Sequence, residues 1–260
     1  MLPDRGQIVR FFEADTWGGC IHPGGIGLTE RLAWLAGIKK DSLVLDVACG
    51  KGMSPSFLTR QFHCRVLGID ISPKMIGQAI RHGLAQEAGE RPAFLIGEAE
   101  TLPIANDSVD VVLSECSFSL LKNKEQAAQE FWRVLREGGS LGIADFYLQP
   151  SSSGLDRPVH FLPCLKGAET EDTYRTLLSR CGFGKIHFED HTGKLKEFLV
   201  DLILNFGSIG NFLEGFSPEL YPREGRALAG AARKRTPRDG ALKYGIITAT
   251  KEGPAKREVS

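Results

Sequence analysis

The chain has 260 residues, of which 42% are hydrophobic and 25% are charged, a composition typical of a globular protein that buries one α/β core. Lysine plus arginine and aspartate plus glutamate both sum to 32, so the formal net charge is zero, which disfavours binding driven by nucleic-acid phosphates. The apolar runs are far shorter than the roughly 20 residues of a membrane-spanning helix. We therefore expect no nucleic-acid partner and no membrane span.

The first residues carry charges where an export signal would have its apolar region. The 6 cysteines are scattered, and none of them forms a CxxC pair. These features predict a cytoplasmic protein with reduced thiols and without a metal site of the zinc-finger type.

A helix is predicted around Leu28, Leu32 and Leu35, before the first strand. Between residues 43 and 146, short and nearly continuous apolar runs alternate with helical patterns, which indicates parallel strands covered on both faces. The strand candidates are Leu43–Val47, Arg65–Asp70, Ala93–Ile96, Val109–Ser114 and Ser140–Phe146. This alternation predicts a doubly wound α/β sheet.

The helices between these strands have recognisable ends. Ser72 is a predicted N-cap with Pro73 in the first helical turn, where a missing N–H costs nothing. Asn123 is the predicted N-cap of a second helix, which we expect to stop at Gly138–Gly139.

Beyond Gln149 the pattern predicts two helices and two strands. The first helix has Tyr174, Leu177, Leu178 and Cys181 on one face, and a short strand follows near Ile186–Phe188. The second helix carries an amphipathic stripe, and its members are Leu195, Phe198, Leu199, Leu202, Ile203 and Phe206. The last predicted strand is Tyr244–Thr250. We expect one domain over residues 1–252, with a core at about 40–150, a helical cap from 1–40 and 151–243, and a flexible tail at 253–260.

The most informative stretch is Val44–Gly52 (VLDVACGKG), in which a buried strand ends in a turn of small residues before a helix. Such a turn lets a ligand approach the backbone closely. A dinucleotide fingerprint (GxGxxG) does not fit, because its third glycine falls on Pro55 or Met53. A phosphate-binding P-loop does not fit either, since Lys51 is followed by glycine.

This stretch resembles motif I of class I S-adenosylmethionine (SAM)-dependent methyltransferases, with Ala48 at the first glycine position, as in the ubiquinone/menaquinone-type branch. The family's other elements follow in order over residues 40–150. They are Asp70 at the end of the second strand, Gly97–Pro103 (GEAETLP), Asp107–Asp110 (DSVD) and Phe131–Gly139 (FWRVLREGG). The resemblance implies a Rossmann-like seven-stranded sheet, mostly parallel with one antiparallel strand, and SAM as cofactor with S-adenosylhomocysteine (SAH) as product.

The resemblance also implies roles for single residues. Asp46 neutralises the cofactor's ammonium group, and Gly50 and Gly52 leave room for its ribosyl-methionine part. Asp70 accepts the ribose hydroxyls, and Glu98 meets the adenine amino group. The expected cofactor-binding residues are Asp46, Ala48, Cys49, Gly50, Gly52, Asp70, Ile71, Met75, Glu98, Ala99 and Ser114. Asp110 and Arg133 are interpreted as structural.

The segment Ser114–Ser119 (SECSFS) lacks the Asn/Asp-Pro-Pro-Tyr element with which amino-methylating enzymes stack a flipped nucleic-acid base, so a small-molecule acceptor is favoured. We expect the acceptor to enter between Trp17–Gly25, the loop Glu115–Ser119 and the cap near His160–Cys164. The candidate acceptor-binding residues are Trp17, Cys20, His22, Cys116, Cys164 and Cys181.

Cys164–Ala168 (CLKGA) and Cys181–Phe183 (CGF) resemble an element of arsenite methyltransferases, whose thiolates bind trivalent arsenic. A metalloid or thiol methyltransferase that uses Cys164 and Cys181 is therefore an alternative. Those enzymes also have a cysteine just after motif I, where this chain has Met53–Leu58 (MSPSFL), and Cys181 on an apolar helix face also fits a structural role. A non-catalytic SAM-binding module and a nucleotide-dependent oxidoreductase are the alternatives from other classes.

Overall fold

The computed structural model describes residues 13, 22–84, 90–149, 167–208, 211 and 242–252, and it contains a seven-stranded sheet. The strands are β1 (Leu43–Val47), β2 (Arg65–Asp70), β3 (Ala93–Ile96), β4 (Val109–Glu115), β5 (Leu135–Leu148), β6 (Phe183–Asp190) and β7 (Leu242–Lys251). Their order is β3-β2-β1-β4-β5-β7-β6. Neighbouring strands are parallel from β3 to β5, whereas β7 is antiparallel to both β5 and β6. The predicted mostly parallel sheet with an antiparallel C-terminal strand is confirmed.

Helices cover both faces of this sheet. They are α1 (Gly25–Leu35), α2 (Met53–Phe62), α3 (Pro73–Leu84), α4 (Lys124–Val134), α5 (Glu171–Arg180) and α6 (Thr192–Phe206), with a 3₁₀ turn at Phe118–Leu120. One apolar cluster joins the sheet to α1, α2 and α6, and a second joins the other face to α4 and α5. None of the helices in the described ranges combines the length and the apolar character that crossing a membrane requires.

Two predicted N-caps are confirmed, but one predicted helix end is wrong. Ser72 accepts a hydrogen bond from the backbone N–H of Met75 (3.1 Å), and Asn123 accepts one from that of Gln126 (3.1 Å). Helix α4 ends at Val134 and not at Gly138–Gly139, because Leu135 already pairs with β4. The gain of sheet pairing therefore ends this helix before the glycines are reached.

The strands beyond β4 are longer than the sequence predicts. β5 continues to Leu148 and does not end at the predicted Phe146, because it pairs with β7 over nine successive positions from Ser140 to Leu148. β6 spans eight residues where only a short strand is expected. An antiparallel partner provides these strands with hydrogen bonds that no local sequence pattern reveals.

Burial differs from expectation at two places. β3 lies at the edge of the sheet, and its Leu95 and Ile96 are 40% and 51% exposed, so coverage on both faces is wrong for this strand. On α6, Leu195 and Leu202 are buried, but Ile203 of the predicted stripe is 44% exposed. The apolar face of α6 that packs on the sheet is thus narrower than its sequence indicates.

Asp110 and Arg133 have the structural roles expected of them. Asp110 accepts hydrogen bonds from the Leu43 backbone (2.7 Å) and from Arg136 (2.6 Å) at the amino ends of β1 and β4. Arg133 donates to the carbonyl oxygens of Leu102 (3.0 Å) and Ile104 (2.7 Å), which ties the β3–β4 connection to α4. Neither residue lies at the edge where the glycine-rich turn is found.

The region assigned to a cap contributes directly to the α/β layers. Helix α5 and strand β6 belong to residues 151–243, yet they form a covering helix and one edge of the sheet. Helix α6 of the same region also packs on the sheet, whereas residues 151–166, 209–210 and 212–241, together with the tail at 253–260, lie outside the described residues. The division into one domain with a cap remains a prediction.

Candidate functional site

The candidate site lies at the carboxyl edge of the parallel strands. β1 is central and has β2 on one side and β4 on the other. The strands that follow β1 are therefore added first on one side of it (β2 and β3) and then on the other (β4 and β5). A sheet of this kind opens a crevice at such a switch point, just beyond the carboxyl ends of the strands. The segment that follows β1 there is the turn predicted to bind a ligand.

This turn has an unusual backbone. Ala48, Gly50 and Gly52 all have positive φ values of 61°, 54° and 76°, a region in which side chains with a Cβ are strained. A Cβ atom added to Gly50 would meet nothing within 4 Å, so the turn is open at this point. At Gly52, by contrast, it would lie 2.8 Å from the Cβ of Ala79 and 2.8 Å from the ring of Phe94. Gly50 therefore leaves space for a ligand, and Gly52 permits the turn to pack against Ala79 and Phe94.

Asp70 holds the turn from the neighbouring strand. Its carboxylate accepts one hydrogen bond from the backbone N–H of Gly50 (2.9 Å) and another from that of Ser72 (2.9 Å). Each oxygen keeps a second lone pair, so the same carboxylate can still accept hydroxyl groups of a ligand. Burial and, more weakly, Glu13 raise the pKa of Asp70, and hydrogen bonds from the backbone of Ser72, Gly50 and Ile71 oppose this rise.

Three carboxylates line this edge in a regular arrangement. Asp46 pairs in register with Gly68 of β2 and with Leu113 of β4. Asp70 and Glu115 each lie two positions beyond those partners and thus on the same face of the sheet as Asp46. The ends of β2, β1 and β4 therefore present a row of three acidic side chains.

Glu115 is the member of this row that the sequence analysis does not select as a site residue. Its carboxylate accepts hydrogen bonds from Thr29 on α1 (2.9 Å) and from Ser54 on α2 (2.6 Å), and its side chain is 6% exposed. The Nε2 atom of His22 lies 3.5 Å from the same carboxylate. An acidic residue at the end of a buried strand is the sequence signal that could have identified it.

The electrostatics of the row follow from its burial. Desolvation raises the pKa of Asp46 well above its usual range; Glu115 and, more weakly, Asp70 raise it further, whereas His22 lowers it. An uncompensated buried carboxylate is costly, so this arrangement favours binding of a cationic group.

Asp145, at the same edge on β5, is a buried carboxylate with a different role. It accepts hydrogen bonds from the backbone (2.7 Å) and the hydroxyl (2.8 Å) of Ser119 and from the backbone of Phe146 (2.7 Å). Burial raises its pKa to about 6 against the effect of these bonds. Asp145 thus fixes the 3₁₀ turn after β4.

The other predicted cofactor-binding residues divide into two groups. Met75 and Ala99 are buried and Ile71 is half-buried, close in sequence to the ends of β2 and β3. Glu98 is exposed, and the turn that it forms with Thr101 is closed by a backbone hydrogen bond of 3.2 Å. The first group supplies apolar surface, and Glu98 presents its side chain to solvent.

Cys49 and Ser114 are placed in the interior of the site. Burial raises the pKa of the Cys49 thiol well above its usual range, which fits a small residue that fills space in the turn better than a reactive thiol. Ser114 is fully buried, and its hydroxyl is 2.7 Å from that of Ser117. Because Ser114 points to the sheet face opposite Glu115, it supports the turn after β4 and does not extend the row of carboxylates.

The acceptor-binding candidates are only partly brought together. His22 lies at the carboxylate row, and Cys116 follows β4 with its Sγ atom 3.5 Å from the hydroxyl of Tyr244. Cys181 precedes β6, whose first residue Phe183 pairs with the end of β7 at the opposite edge of the sheet. The expectation of Cys181 at the acceptor site is therefore not met. Trp17, Cys20 and Cys164 lie outside the described residues.

Comparison with known proteins places these features in a family. Residues 45–143 match the family model described as a methyltransferase domain, a range that contains all three carboxylates of the row. The chain is 34% identical over 165 residues to the arsenite methyltransferase of Halobacterium salinarum, a match that covers 61% of this chain and 41% of the relative. The chain spans less than half of the length of this relative and of two phosphoethanolamine N-methyltransferases of Triticum aestivum that it also matches.

Solved structures share the fold at low sequence identity. One is phosphoethanolamine N-methyltransferase 2 of Haemonchus contortus in complex with SAM, with a TM-score of 0.69 and 18% identity over 95% of this chain and 57% of that chain. Another is the [4+2]-cyclase SpnF, with a TM-score of 0.74 and 20% identity over 97% of this chain and 98% of that chain. With the matched range, the glycine-rich turn and the sheet order in agreement, residues 45–143 form a methyltransferase domain of the class I SAM-dependent type.

Proposed function

We propose that this protein transfers a methyl group from SAM to a small-molecule acceptor at the carboxyl edge of the sheet. The observation that carries the proposal is the row of Asp70, Asp46 and Glu115 around a turn that is open at Gly50. SAM is a cationic nucleoside, and this row offers it acidic groups on both sides of the open turn. The nearly neutral whole chain and the missing base-stacking element support a small-molecule acceptor.

The residues present fit this cofactor. Asp46 is positioned to accept the ammonium group, and Gly50 provides the space for the chain between sulfur and amino acid. Asp70 has free acceptor capacity for the ribose hydroxyls, and Met75 and Ala99 supply apolar surface for the adenine ring. Bound SAM supplies a methyl group on a positively charged sulfur.

The chain's own contribution is mainly positioning and exclusion of water, because methyl transfer from a sulfonium disperses charge in the transition state. Glu13 and His22, both from the region before β1, contact the site from opposite sides. Glu13 accepts hydrogen bonds from the hydroxyl of Ser72, just after β2, and, through its carbonyl oxygen, from Lys74 (2.8 Å) in the first turn of α3, whereas His22 lies at the end of β4. These contacts support a role for this region in covering the cofactor.

The direct test is incubation of the protein with methyl-labelled SAM and a panel of amines, thiols, hydroxyl compounds and arsenite. Transfer of label to at least one acceptor is the expected result. Binding of SAM without any transfer would favour a non-catalytic module, and binding of NADH in place of SAM would favour an oxidoreductase.

The Asp70→Ala variant tests the cofactor site. Removal of the acceptor for the ribose hydroxyls and for the Gly50 N–H is expected to weaken SAM binding by roughly 100-fold, since hydrogen bonds to charged groups contribute about 1.5–3 kcal/mol. Isothermal titration calorimetry gives the affinity, and circular dichroism checks the fold. Asp172→Ala, which removes an exposed carboxylate on α5, is the matched control. Unchanged SAM affinity in Asp70→Ala would remove Asp70 from the site.

A second candidate function is methylation of arsenite or another acceptor that binds thiols. Cys116 lies directly after Glu115 with a positive φ of 51°, at the end of β4, and the Halobacterium relative is named an arsenite methyltransferase. Soft trivalent arsenic prefers sulfur ligands. Cys181 at the other edge cannot act with Cys116 in this arrangement, so Cys20 and Cys164 are the remaining candidate thiols.

If this second function is correct, Cys116→Ser is expected to lower arsenite methylation by at least about tenfold, because an alcohol oxygen is a poor ligand for a soft centre. Cys181→Ser serves as the matched control and is expected to keep full turnover. The assay measures transfer of labelled methyl to arsenite. Turnover that survives both Cys116→Ser and Cys164→Ser excludes capture of the acceptor by these thiols.

A further inference from the structure

We propose that Phe94 on the edge strand β3 is a positioning residue for the cofactor, because its ring packs against the glycine-rich turn at Gly52. The inference rests on the proposed function, since it requires that SAM binds at this turn. It assigns a role to a residue that none of the motifs in the sequence includes.

The first step is the register of Phe94 in the sheet. Phe94 pairs with Gly68 of β2, which in turn pairs with Asp46 of β1. The three residues therefore lie in one line across the sheet, on the same face. Because Gly68 has no side chain, the space above it is open to its neighbours. A Cβ atom added to Gly68 would lie 2.8 Å from Cδ1 of the Phe94 ring and 2.8 Å from the Sγ atom of Cys49 in the turn, so these two side chains fill that space.

The second step is the outer end of the ring, which reaches the turn and helix α3. A Cβ atom added to Gly52 would lie 2.8 Å from Cζ of Phe94 and 3.0 Å from its Cε1, and one added to Gly83 of α3 would lie 3.5 Å from its Cε2. Phe94 is half-buried, whereas the other three residues of β3 are exposed. The ring therefore occupies a slot that is bounded by β2, the turn and α3.

The third step is the division of labour among the contacts that hold the turn. A carboxylate of β2 binds the backbone N–H of Gly50, and Nδ1 of His82 on α3 donates to the carbonyl oxygen of Lys51 (2.9 Å). These hydrogen bonds fix the turn before Gly52, and the ring of Phe94 fills the space beside Gly52 itself. A site that is held in its binding conformation loses less conformational entropy when the ligand binds. Removal of the outer end of the ring is therefore expected to weaken SAM binding by loosening the turn.

The alternative is that Phe94 serves only to attach β3 to the sheet. In that case, truncation of its side chain lowers the free energy of unfolding but leaves the SAM affinity of a protein that is still almost fully folded unchanged. Phe188 offers a matched control, because it is a half-buried aromatic residue of β6, at the opposite edge of the sheet, where its ring packs against that of Tyr147. Measurement of both stability and SAM affinity therefore separates a positioning role from general packing.

The test is calorimetric titration of SAM into wild type, Phe94→Leu and Phe188→Leu, with urea unfolding of each protein as the measure of stability. Leucine keeps the δ carbons that fill the space over Gly68 but lacks the ε and ζ carbons that lie at Gly52. SAM affinity of Phe94→Leu is expected to fall about tenfold, which corresponds to about 1.4 kcal/mol. Phe188→Leu is expected to lose stability as well but to bind SAM within about twofold of wild type. Phe94→Met, whose longer side chain reaches Gly52 again, is expected to recover most of the affinity.

A folded Phe94→Leu protein that binds SAM as tightly as wild type overturns the proposal and leaves Phe94 with a packing role. An equal loss of affinity in Phe188→Leu, or no recovery in Phe94→Met, overturns it as well. If Phe94→Leu does not fold, Phe94→Tyr decides, since its hydroxyl is attached to the ring carbon that faces Gly52. Lower SAM affinity of the folded tyrosine variant supports the proposal, and unchanged affinity overturns it. Failure of wild type to bind SAM is a different outcome, because it overturns the proposed function itself.

Discussion

The Asp46→Asn variant is expected to be more stable than the wild-type protein without ligand and to bind SAM at least about 100-fold more weakly. Asp46 is fully desolvated near Glu115, and this environment raises its pKa well above the usual range. The neutral amide removes that penalty at nearly the same volume. It also removes the partner of the cofactor's ammonium group, and loss of one member of a buried ion pair costs about 3–5 kcal/mol.

The sign of the pH dependence follows from the direction of this shift. Because the pKa of Asp46 is higher in the folded than in the unfolded chain, the folded state binds the additional proton. The contribution of Asp46 to stability is therefore largest below about pH 4 and decreases as the pH rises towards its raised pKa. The stabilisation by Asp46→Asn should accordingly be small in acid and grow towards neutral pH.

Thermal unfolding of wild type and Asp46→Asn between pH 4 and 8 measures the gain in stability. An increase in the melting temperature of about 2–4 °C at pH 7 is expected for each kcal/mol that is gained. SAM titration at pH 7 measures the second effect. A variant that is less stable at neutral pH, or that binds SAM as wild type does, would contradict the assignment of Asp46 to the cofactor's ammonium group.

The second large effect is a contrast between two glycines of the same turn. Gly50→Ala is expected to keep the fold, at a cost of about 1–2 kcal/mol for a positive φ, because the new Cβ meets no atom within 4 Å. It should nevertheless abolish SAM binding, since the methyl group takes the space through which the ligand approaches the backbone. Gly52→Ala is expected to unfold the turn or the domain, because its Cβ overlaps with Ala79 and Phe94 at 2.8 Å.

Circular dichroism and thermal unfolding separate these two outcomes, and calorimetry with SAM completes the comparison. A well-folded Gly50→Ala protein with wild-type affinity would show that the cofactor does not approach this point of the turn. Stability of Gly52→Ala within about 1 kcal/mol of wild type would contradict the packing role of Gly52.

Local sequence signals predict the parallel half of this fold well. The bounds of β1, β2 and β3 agree with the prediction residue for residue, because each of these parallel strands is a short apolar run between clear turn residues. The same signals fail where a distant strand determines the outcome. β5 extends to Leu148 because of its pairing with β7, which is about a hundred residues away in the chain.

The site shows the same division. Asp46 and Asp70 can be predicted from the sequence. Asp46 lies just before the glycine-rich turn, and Asp70 is the last residue of the second strand. Glu115 carries the same signal as Asp70, an acidic residue at the end of a buried strand, but its contacts become evident only from the register between β1 and β4 and from the hydroxyls of two helices. Cys181 shows the reverse, because its local motif is suggestive but the antiparallel pairing of β6 takes it to the other edge.

The attachment of Glu115 to two helices has a thermodynamic consequence. Since Thr29 and Ser54 donate to one carboxylate, a ligand that stabilises this carboxylate also stabilises the docking of α1 against α2. Such linkage is reciprocal, so local detachment of α1 lowers ligand affinity by the same factor. Ligand affinity and the docking of α1 against α2 are thus thermodynamically coupled.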